Sequence, residues 1–133
     1  MAIHNEIGKI GESVASHWLA NRGYRILERN YRKKFGEIDI VARETTDTLH
    51  FIEVKAVSYE TRTLLEWAVS HETWRPEEMV HRHKQIRFMR TIEAWLLEHP
   101  EEFKYQIDIF TVRLVPREKY AQVKILDNIV FEP

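Results

Sequence analysis

The chain has 133 residues, 44% of them hydrophobic and 31% charged, which is the balance of a folded domain with a sizeable core. Its net charge of −1 argues against a protein that coats nucleic acid non-specifically, although a local basic groove is compatible with it. It contains no cysteine, which excludes disulfides and thiolate metal sites. Because it shows neither a signal peptide nor an apolar run of roughly 20 residues, we expect one cytoplasmic domain over residues 1–133 and no membrane partner.

The first predicted element is a helix over residues 3–22. Apolar side chains recur there at helical spacing, and Gly23 suits the position just past the helix end. The apolar stripe consists of Ile3, Ile7, Ile10, Val14 and Trp18. At about 100° per residue Glu12 points nearly opposite this stripe, beside the small residues Gly8 and Ala15. Such small residues allow another element to come close to the Glu12 side, although most helix glutamates simply face solvent.

Three strands follow the helix. Residues 24–31, 36–43 and 49–57 are rich in strand-forming side chains, and the polar residues 44–48 join the last two strands into a hairpin. The stretch 57–75 has no clear period, and we expect a loop with a short helical piece. We expect Trp67 and Trp74, within that stretch, to bury a helix face, with stacking on exposed bases as the alternative use.

A second helix is predicted from Pro76, which suits a first helical turn, to about His99. Its buried face is expected to consist of Met79, Ile86, Met89, Ile92 and Leu96. Two final strands are predicted at residues 105–115 and 121–131. This order of elements, αβββαββ, predicts an α/β or α+β layered sheet with helices packed on it.

Three charged residues stand inside the two most apolar strands of this pattern. Side chains alternate across a strand, so Glu53 and Lys55 share one face with Phe51, while Ile52, Val54 and Ala56 take the other. In the preceding strand Asp39 and Val41 share one face, and Ile38, Ile40 and Ala42 share the opposite face. If the apolar faces coincide, Asp39 falls beside Glu53 and Lys55.

Two facing carboxylates repel each other, and one of them takes up a proton unless a cation lies between them. Hard oxygen ligands suit Mg²⁺ or Mn²⁺, which keep several waters and are completed by substrate phosphate. A lysine two residues beyond a metal-binding Glu53 could stabilise the phosphoryl transition state or help to deprotonate the attacking water. The pattern therefore indicates metal-dependent phosphodiester hydrolysis, with an ion pair at a sheet edge as the alternative.

The quoted residues also resemble a known family. The segments IGKIGESVASHWLANRGYRILERNYRKKFGEIDIVA and LHFIEVKA are similar, in motif order and spacing, to the YraN family of small bacterial proteins. That family belongs with the restriction-endonuclease-like nucleases of the PD-(D/E)XK type and is similar to archaeal Holliday-junction resolvases. The resemblance implies an α/β restriction-endonuclease-like core with a central mixed five-stranded sheet flanked by helices.

The resemblance also implies roles for individual residues. Asp39 and Glu53 would be metal ligands, with the Val54 backbone carbonyl completing the shell, and Lys55 would be the catalytic lysine. Glu12 would approach the metal directly or through water. A basic set would contact nucleic acid, and it consists of Arg29, Arg32, Lys33, Lys34, Lys84 and Gln85. Asp108 matches an aspartate of the family, and we expect a structural role for it.

These observations lead to three hypotheses about function. The leading one is a Mg²⁺- or Mn²⁺-dependent DNA endonuclease, with branched or damaged DNA as a candidate substrate and a homodimer as a candidate assembly. The second is a nucleic-acid-binding module that kept the fold and lost turnover. The third is a structural partner protein in which the charges form a buried network.

Overall fold

The computed structural model describes residues 2–45, 47–71, 81–101 and 104–131, and for residues 2–4 it describes the backbone alone. The three helices are α1 (Ala2–Asn21), α2 (Arg62–His71) and α3 (Arg82–Glu98). The five strands are β1 (Arg25–Lys33), β2 (Gly36–Arg43), β3 (Leu49–Ser58), β4 (Tyr105–Val115) and β5 (Tyr120–Leu126). None of the described helices combines the length and the apolar character needed to cross a bilayer.

The strands form one mixed sheet in the order β1-β2-β3-β4-β5. Neighbouring strands run antiparallel except β3 and β4, which are parallel from the pair Leu49–Tyr105 to the pair Ser58–Leu114. A parallel pair requires a long crossover, and the connection between β3 and β4 carries α2 and α3. The predicted fold class is confirmed: a mixed five-stranded sheet is flanked by helices, as in a restriction-endonuclease-like core.

Two hydrophobic clusters cover the two faces of the sheet. The cluster on the α1 side consists of Ala15, Leu19, Ile40, Ala42, Ile52, Phe110, Val112 and Leu114. The cluster on the α3 side consists of Ile38, Val41, Leu49, Phe51, Phe88, Ile92, Trp95 and Ile107. The predicted faces of β3 are confirmed, since Ile52 and Phe51 pack on opposite sides. The prediction for Ile38 is wrong: it packs on the α3 side, because the end of the β1–β2 hairpin lies against that helix.

Helix α1 buries a different side from the predicted one. Ala15 and Leu19 are fully buried, whereas Ile10, in the middle of the predicted stripe, is 43% exposed. The helix approaches the sheet through Gly11, where an added Cβ would lie 2.6 Å from the Ala56 Cβ. The small residues thus permit the closest contact, and the larger apolar side chains Ile7, Val14 and Trp18 pack around the margin of the core.

The short helical piece expected within residues 57–75 is present. It is α2, which spans ten residues. The predicted start of the second helix at Pro76 lies outside the described residues, and His81 has an extended backbone, so the described part of α3 begins at Arg82. Its buried side chains are Phe88, Thr91, Ile92 and Trp95. The prediction that Ile86 is buried is wrong, since it is 42% exposed, and Met79 also lies outside the described residues.

Two strand boundaries also differ from the prediction. Strand β1 continues to Lys33, two residues beyond the expected end, because the β1–β2 ladder extends to the pair Lys33–Gly36. Strand β5 ends at Leu126 instead of residue 131. Asn128 there adopts a left-handed backbone with φ of 53°, which turns the chain back so that the Ile129 N–H donates to the Ile107 carbonyl at 2.8 Å.

Trp67 does not take the use expected of it. Its side chain lies on α2, is 61% exposed and stacks on His71 with ring centroids 4.3 Å apart. The prediction that it buries a helix face is therefore wrong. Trp74 lies outside the described residues.

A buried histidine ties three parts of the sheet together. His50 Nδ1 lies 2.5 Å from Asp108 Oδ2, and Nε2 contacts the Glu44 carboxylate in the β2–β3 turn. Asp108 Oδ1 in turn accepts hydrogen bonds from the Gln106 side chain at 2.9 Å and the Asn128 N–H at 3.0 Å. Burial alone would lower the pKa of His50, but the two carboxylates raise it above its usual value. This network gives Asp108 a structural position.

The His50 network should make stability depend on pH. A histidine with a raised pKa in the folded state stabilises the protein fully below its unfolded pKa, near 6.5, and loses that contribution as pH rises through the folded value. Asp108→Asn removes the charge partner and should lower the free energy of unfolding by about 3 kcal/mol at pH 6. The deficit should shrink by pH 9. Urea unfolding at both pH values measures it.

The matched control for this measurement is Asp127→Asn. The Asp127 carboxylate is exposed and lines the same surface cavity as His50 and Asp108. It should leave the free energy of unfolding within about 0.5 kcal/mol of the parent. An Asp108→Asn deficit that is the same at pH 6 and pH 9 would contradict a charged His50.

Candidate active site

Asp39 and Glu53 lie where the ladder between β2 and β3 stops. The described pairing of the two strands runs from Arg43–Leu49 to Ile40–Ile52. Just beyond it, one residue along β2 and two residues along β3, the Val54 N–H donates to Asp39 Oδ2 at 2.7 Å. The Asp39 carboxylate thus accepts a hydrogen bond from a backbone N–H that would otherwise donate to a carbonyl of a neighbouring strand. Asp39 is 8% exposed and Glu53 4%, so both carboxyl groups are buried.

The pKa of Asp39 is raised to about 8, chiefly because its carboxyl group is buried. The neighbouring Glu53 charge is the second cause and the Glu12 charge adds a smaller increase, whereas the hydrogen bond from the Val54 N–H lowers the pKa. Near neutral pH the metal-free pair therefore holds a proton. A site that takes up a proton at this position provides a place for a positive charge.

The two oxygens of Glu53 have different surroundings. Oε2 accepts a hydrogen bond from Lys84 Nζ at 3.2 Å and lies 3.7 Å from Lys55 Nζ. Oε1 is buried, and no N–H or hydroxyl group in the described part of the chain donates to it. The Asp39 carboxyl group is the hydrogen-bonding neighbour of the Glu53 side chain, so without a cation the two acids share a proton.

The two lysines respond differently to this shared oxygen. Burial lowers the pKa of Lys55, and the attraction of Glu53 does not offset it because the Lys84 charge lies beside it. Burial also works against the charge on Lys84, but Glu53 outweighs it and the pKa of Lys84 is raised. Lys55 therefore gives up its proton more readily than an exposed lysine, and Lys84 holds its proton more firmly.

Glu12 reaches the site from the α1 side of the sheet. The contact between Gly11 and Ala56 brings α1 against β3, and Glu12 is the next residue along the helix. Burial raises the pKa of Glu12, while Asn30 and Arg29 act in the opposite direction. Since the Glu12 charge also acts on Asp39, the structure brings a third acid towards the pair.

A basic groove opens beside Glu53, between α3 and the β1–β2 turn. It has a volume of about 430 Å³, and its lining includes five basic side chains, Arg32, Lys33, Lys34, Lys84 and Arg87. The wall is close-packed: an added Cβ on Gly36 would lie 2.8 Å from the Arg87 carbonyl oxygen, and Arg87 Nε donates to the Phe35 carbonyl at 3.1 Å. The turn and the helix therefore form one surface.

The structure divides the basic residues that the sequence grouped together. Four of the predicted residues line the groove: Arg32, Lys33, Lys34 and Lys84. Arg29 lies with Glu12 on the α1 side, and Gln85 is half-buried and not part of the groove lining. Two features were missed. Arg87 joins the groove, which its three-residue spacing from Lys84 on a helix could have indicated. Lys84 also contacts Glu53, and no sequence signal marks that contact.

The carboxyl groups fit a hard divalent cation such as Mg²⁺ or Mn²⁺. Asp39 and Glu53 are adjacent, and no N–H or hydroxyl group among the described residues donates to the buried Glu53 Oε1. In the part of the chain that the structure describes, no three acidic or histidine side chains come close enough to hold a metal alone. A cation here would therefore keep water and substrate oxygens in its shell, as Mg²⁺ commonly does.

The mixed five-stranded sheet flanked by three helices is consistent with a restriction-endonuclease-like core. The chain belongs to the uncharacterised protein family UPF0102, whose model matches residues 11–112. It is 33% identical over 121 residues to a UPF0102 protein from Campylobacter fetus, with 91% of this chain and 90% of the relative covered.

Two further relatives cover still more of the chain. A UPF0102 protein from Alkaliphilus oremlandii is 35% identical over 129 residues, covering 95% of this chain and 98% of its own length. One from Dictyoglomus turgidum is 36% identical over 126 residues, covering 94% and 97%. The similarity therefore spans α1, the sheet and the candidate site together.

The raised pKa of Asp39 should make the metal-free protein lose stability as pH rises. The folded state keeps a proton that the unfolded state releases near pH 3.8, so the unfavourable contribution grows up to about pH 8. Asp39→Asn removes it. The variant should gain stability over the parent, by up to about 1.4 kcal/mol per pH unit in this range. Urea unfolding in a chelator at pH 5 and pH 7.5 measures the gain.

Glu37→Gln is the matched control, because Glu37 is an exposed carboxylate on the same strand, paired with Arg32 at 3.2 Å. Its difference from the parent should not change between the two pH values. If the stability difference between Asp39→Asn and the parent were also the same at the two pH values, the raised pKa of Asp39 in the folded state would be contradicted.

The close approach of α1 to β3 at Gly11 and Ala56, which brings Glu12 towards the site, should make the stability of the protein sensitive to the size of residue 11. Gly11→Ala places a methyl group 2.6 Å from the Ala56 Cβ, so α1 must move away from β3 at a cost of about 1–3 kcal/mol. Gly8→Ala adds the same methyl where nothing lies within 4 Å and should not destabilise the protein. Thermal unfolding of the two variants compares them. Equal melting temperatures would show that the contact is not close.

Proposed function

We propose that this protein is a divalent-cation-dependent DNA endonuclease that hydrolyses phosphodiester bonds. The observation that carries the proposal is the buried Asp39–Glu53 pair, with two lysines at Glu53 Oε2, at the edge of a basic groove. The two acids repel each other in the absence of a cation, and the ammonium groups of two lysines lie beside them. This combination suits a reaction in which water attacks an anionic phosphate.

Asp39 and Glu53 are the residues that would hold Mg²⁺ or Mn²⁺, with the Val54 carbonyl and water-linked Glu12 as further donors. When bound, such a cation lowers the pKa of a coordinated water and offsets charge on phosphoryl oxygens. The Val54 N–H fixes the orientation of Asp39, and Lys84 fixes that of Glu53. Residues oriented in this way need little rearrangement when the substrate binds.

Lys55 is the residue that would act on the reacting phosphate. As an ammonium it would donate to a non-bridging phosphoryl oxygen; as the neutral amine, which its lowered pKa makes more accessible, Nζ would instead accept a proton from the attacking water. Attack forms a new bond from the water oxygen to phosphorus and breaks the bond to one bridging oxygen. The proton of the water passes to Nζ or to solvent and the leaving oxygen takes up a proton from solvent, so that one product end carries a phosphate monoester and the other a hydroxyl group.

The groove is the surface that would bind the DNA backbone. The lining carries five basic side chains and one acidic side chain, Glu37, although the whole chain has a net charge of −1. This local excess would attract phosphates even though Arg32, Lys33 and Lys84 also pair with carboxylates. Contacts of this kind position nucleic acid without reading its sequence. We therefore extend the proposal to a substrate recognised by its structure, with branched or damaged DNA as the class to test.

The structural-network alternative is less well supported by the contacts. A closed network would pair each buried charge with an opposite one, whereas the Asp39 and Glu53 carboxyl groups face each other and Asp39 is driven to hold a proton. The His50 network shows how this chain satisfies buried charges elsewhere, since each ring nitrogen faces a carboxylate. A structural network should have its buried charges paired, as around His50, whereas a functional site should hold groups with perturbed pKa values, as at Asp39.

The test is cleavage of plasmid, flap and four-way-junction DNA with Mg²⁺ or Mn²⁺, together with calorimetry of Mn²⁺ binding. The parent should bind Mn²⁺ and cut at least one substrate. Lys55→Ala should still bind Mn²⁺, at least as tightly as the parent because it removes a positive charge near Glu53, and should cut at least about 100-fold more slowly. Glu53→Gln should lose both properties because it removes a ligand charge.

Lys119→Ala, an exposed lysine in the β4–β5 turn, is the control and should match the parent in both assays. Mn²⁺ binding with DNA binding but no cleavage would favour the binding module that lost turnover. A parent that binds neither Mn²⁺ nor DNA would contradict the proposal.

A further inference from the structure

Lys84 holds the position that Lys55 would otherwise take. It donates to Glu53 Oε2 at 3.2 Å, whereas Lys55 Nζ lies 3.7 Å from the same oxygen. The longer distance is that of an ion pair without a hydrogen bond. The ammonium of the proposed catalytic lysine is therefore held near the carboxylate but is not fixed by it.

We propose that Lys84 is a positioning residue of the reaction centre in addition to a groove residue. By occupying Glu53 Oε2 it keeps Lys55 off that oxygen and available to a phosphate. It also leaves Glu53 Oε1 as the oxygen that faces a cation. This inference rests on the proposed endonuclease function and deepens it, because it assigns a second lysine to the same site from a different element of the fold.

The fold holds Lys84 in place for this task. It lies in the first turn of α3, one turn before Arg87, whose side chain donates to the Phe35 carbonyl. Gly36 packs against the backbone of the same helical turn. Since Phe35 and Gly36 lead directly into β2, the helix end that carries Lys84 is tied to the strand that carries Asp39.

The exposure of the charged groups agrees with two roles for Lys84. The Glu53 side chain is 5% exposed and Lys55 22%, whereas Lys84 is 39% exposed. Lys84 thus reaches from the open groove to a buried carboxylate. Among the described residues that line the groove, no other basic side chain pairs with Glu53.

Removal of the Lys84 charge has two expected consequences. Lys84→Met keeps the length of the side chain, so Lys55 should close onto the vacated Oε2 and form a buried ion pair. The reacting phosphate then lacks the Lys55 ammonium, which lowers turnover. The variant leaves one ammonium beside Glu53 where the parent has two. Because positive charge there opposes the binding of a dication, the variant should bind Mn²⁺ more tightly.

The first arm of the test is steady-state cleavage of the substrate that the parent cuts fastest. Lys84→Met should lower kcat at least about tenfold and change KM less than about threefold, since a group that only binds the backbone would raise KM instead. Lys84→Arg should restore most of kcat. Arg90→Met removes one charge from the same helix outside the groove and should leave kcat unchanged.

The second arm is Mn²⁺ calorimetry without DNA. Lys84→Met should bind at least about threefold more tightly than the parent, and Arg90→Met should match the parent. A Lys84→Met variant that raises KM alone and keeps the parental Mn²⁺ affinity would overturn this inference and leave the proposed function standing. A parent without Mn²⁺ binding or cleavage would instead overturn the proposed function itself, and this inference with it.

Discussion

The repulsion between two buried carboxyl groups is the constraint on which the rest of this site depends. Asp39 and Glu53 stand side by side at the end of a ladder, and burial together with the neighbouring Glu53 charge raises the pKa of Asp39 to about 8. Every neighbouring group acts on that repulsion. The Val54 N–H and the two lysines reduce it, and Glu12 increases it. A sheet that served stability alone would place apolar residues at these positions.

The fold supplies these neighbours from three separate elements. The hairpin of β2 and β3 carries the acids and Lys55, α3 carries Lys84, and α1 carries Glu12. Two glycines make the approach possible, since Gly11 lets α1 reach β3 and Gly36 lets the hairpin reach α3. The site is therefore assembled from both faces of the sheet at the point where two strands separate, and small residues on each face determine how close the charged groups come.

The sequence predicted the parts of this arrangement that local patterns control. Period-two alternation placed Glu53 and Lys55 on one face of β3, and strand-forming residues gave the bounds of β2 and β4. It failed where tertiary packing decides. The stripe of Ile7, Ile10 and Val14 was the stronger apolar signal in α1, yet close approach through Gly11 and Ala15 determined the buried side. The contact of Lys84 with Glu53 joins residues 31 positions apart, and no spacing rule connects them.

The parallel pairing of β3 with β4 has a consequence for the way the chain folds. The hairpin of β2 and β3 is local and can form early, but β4 joins β3 only after the long connection through α2 and α3 has closed. Until then β3 has an open edge rich in apolar side chains, which is a template for association with other chains. Glu53 and Lys55 interrupt that edge with charge. We expect the same side chains that form the candidate site to protect the half-folded chain from aggregation.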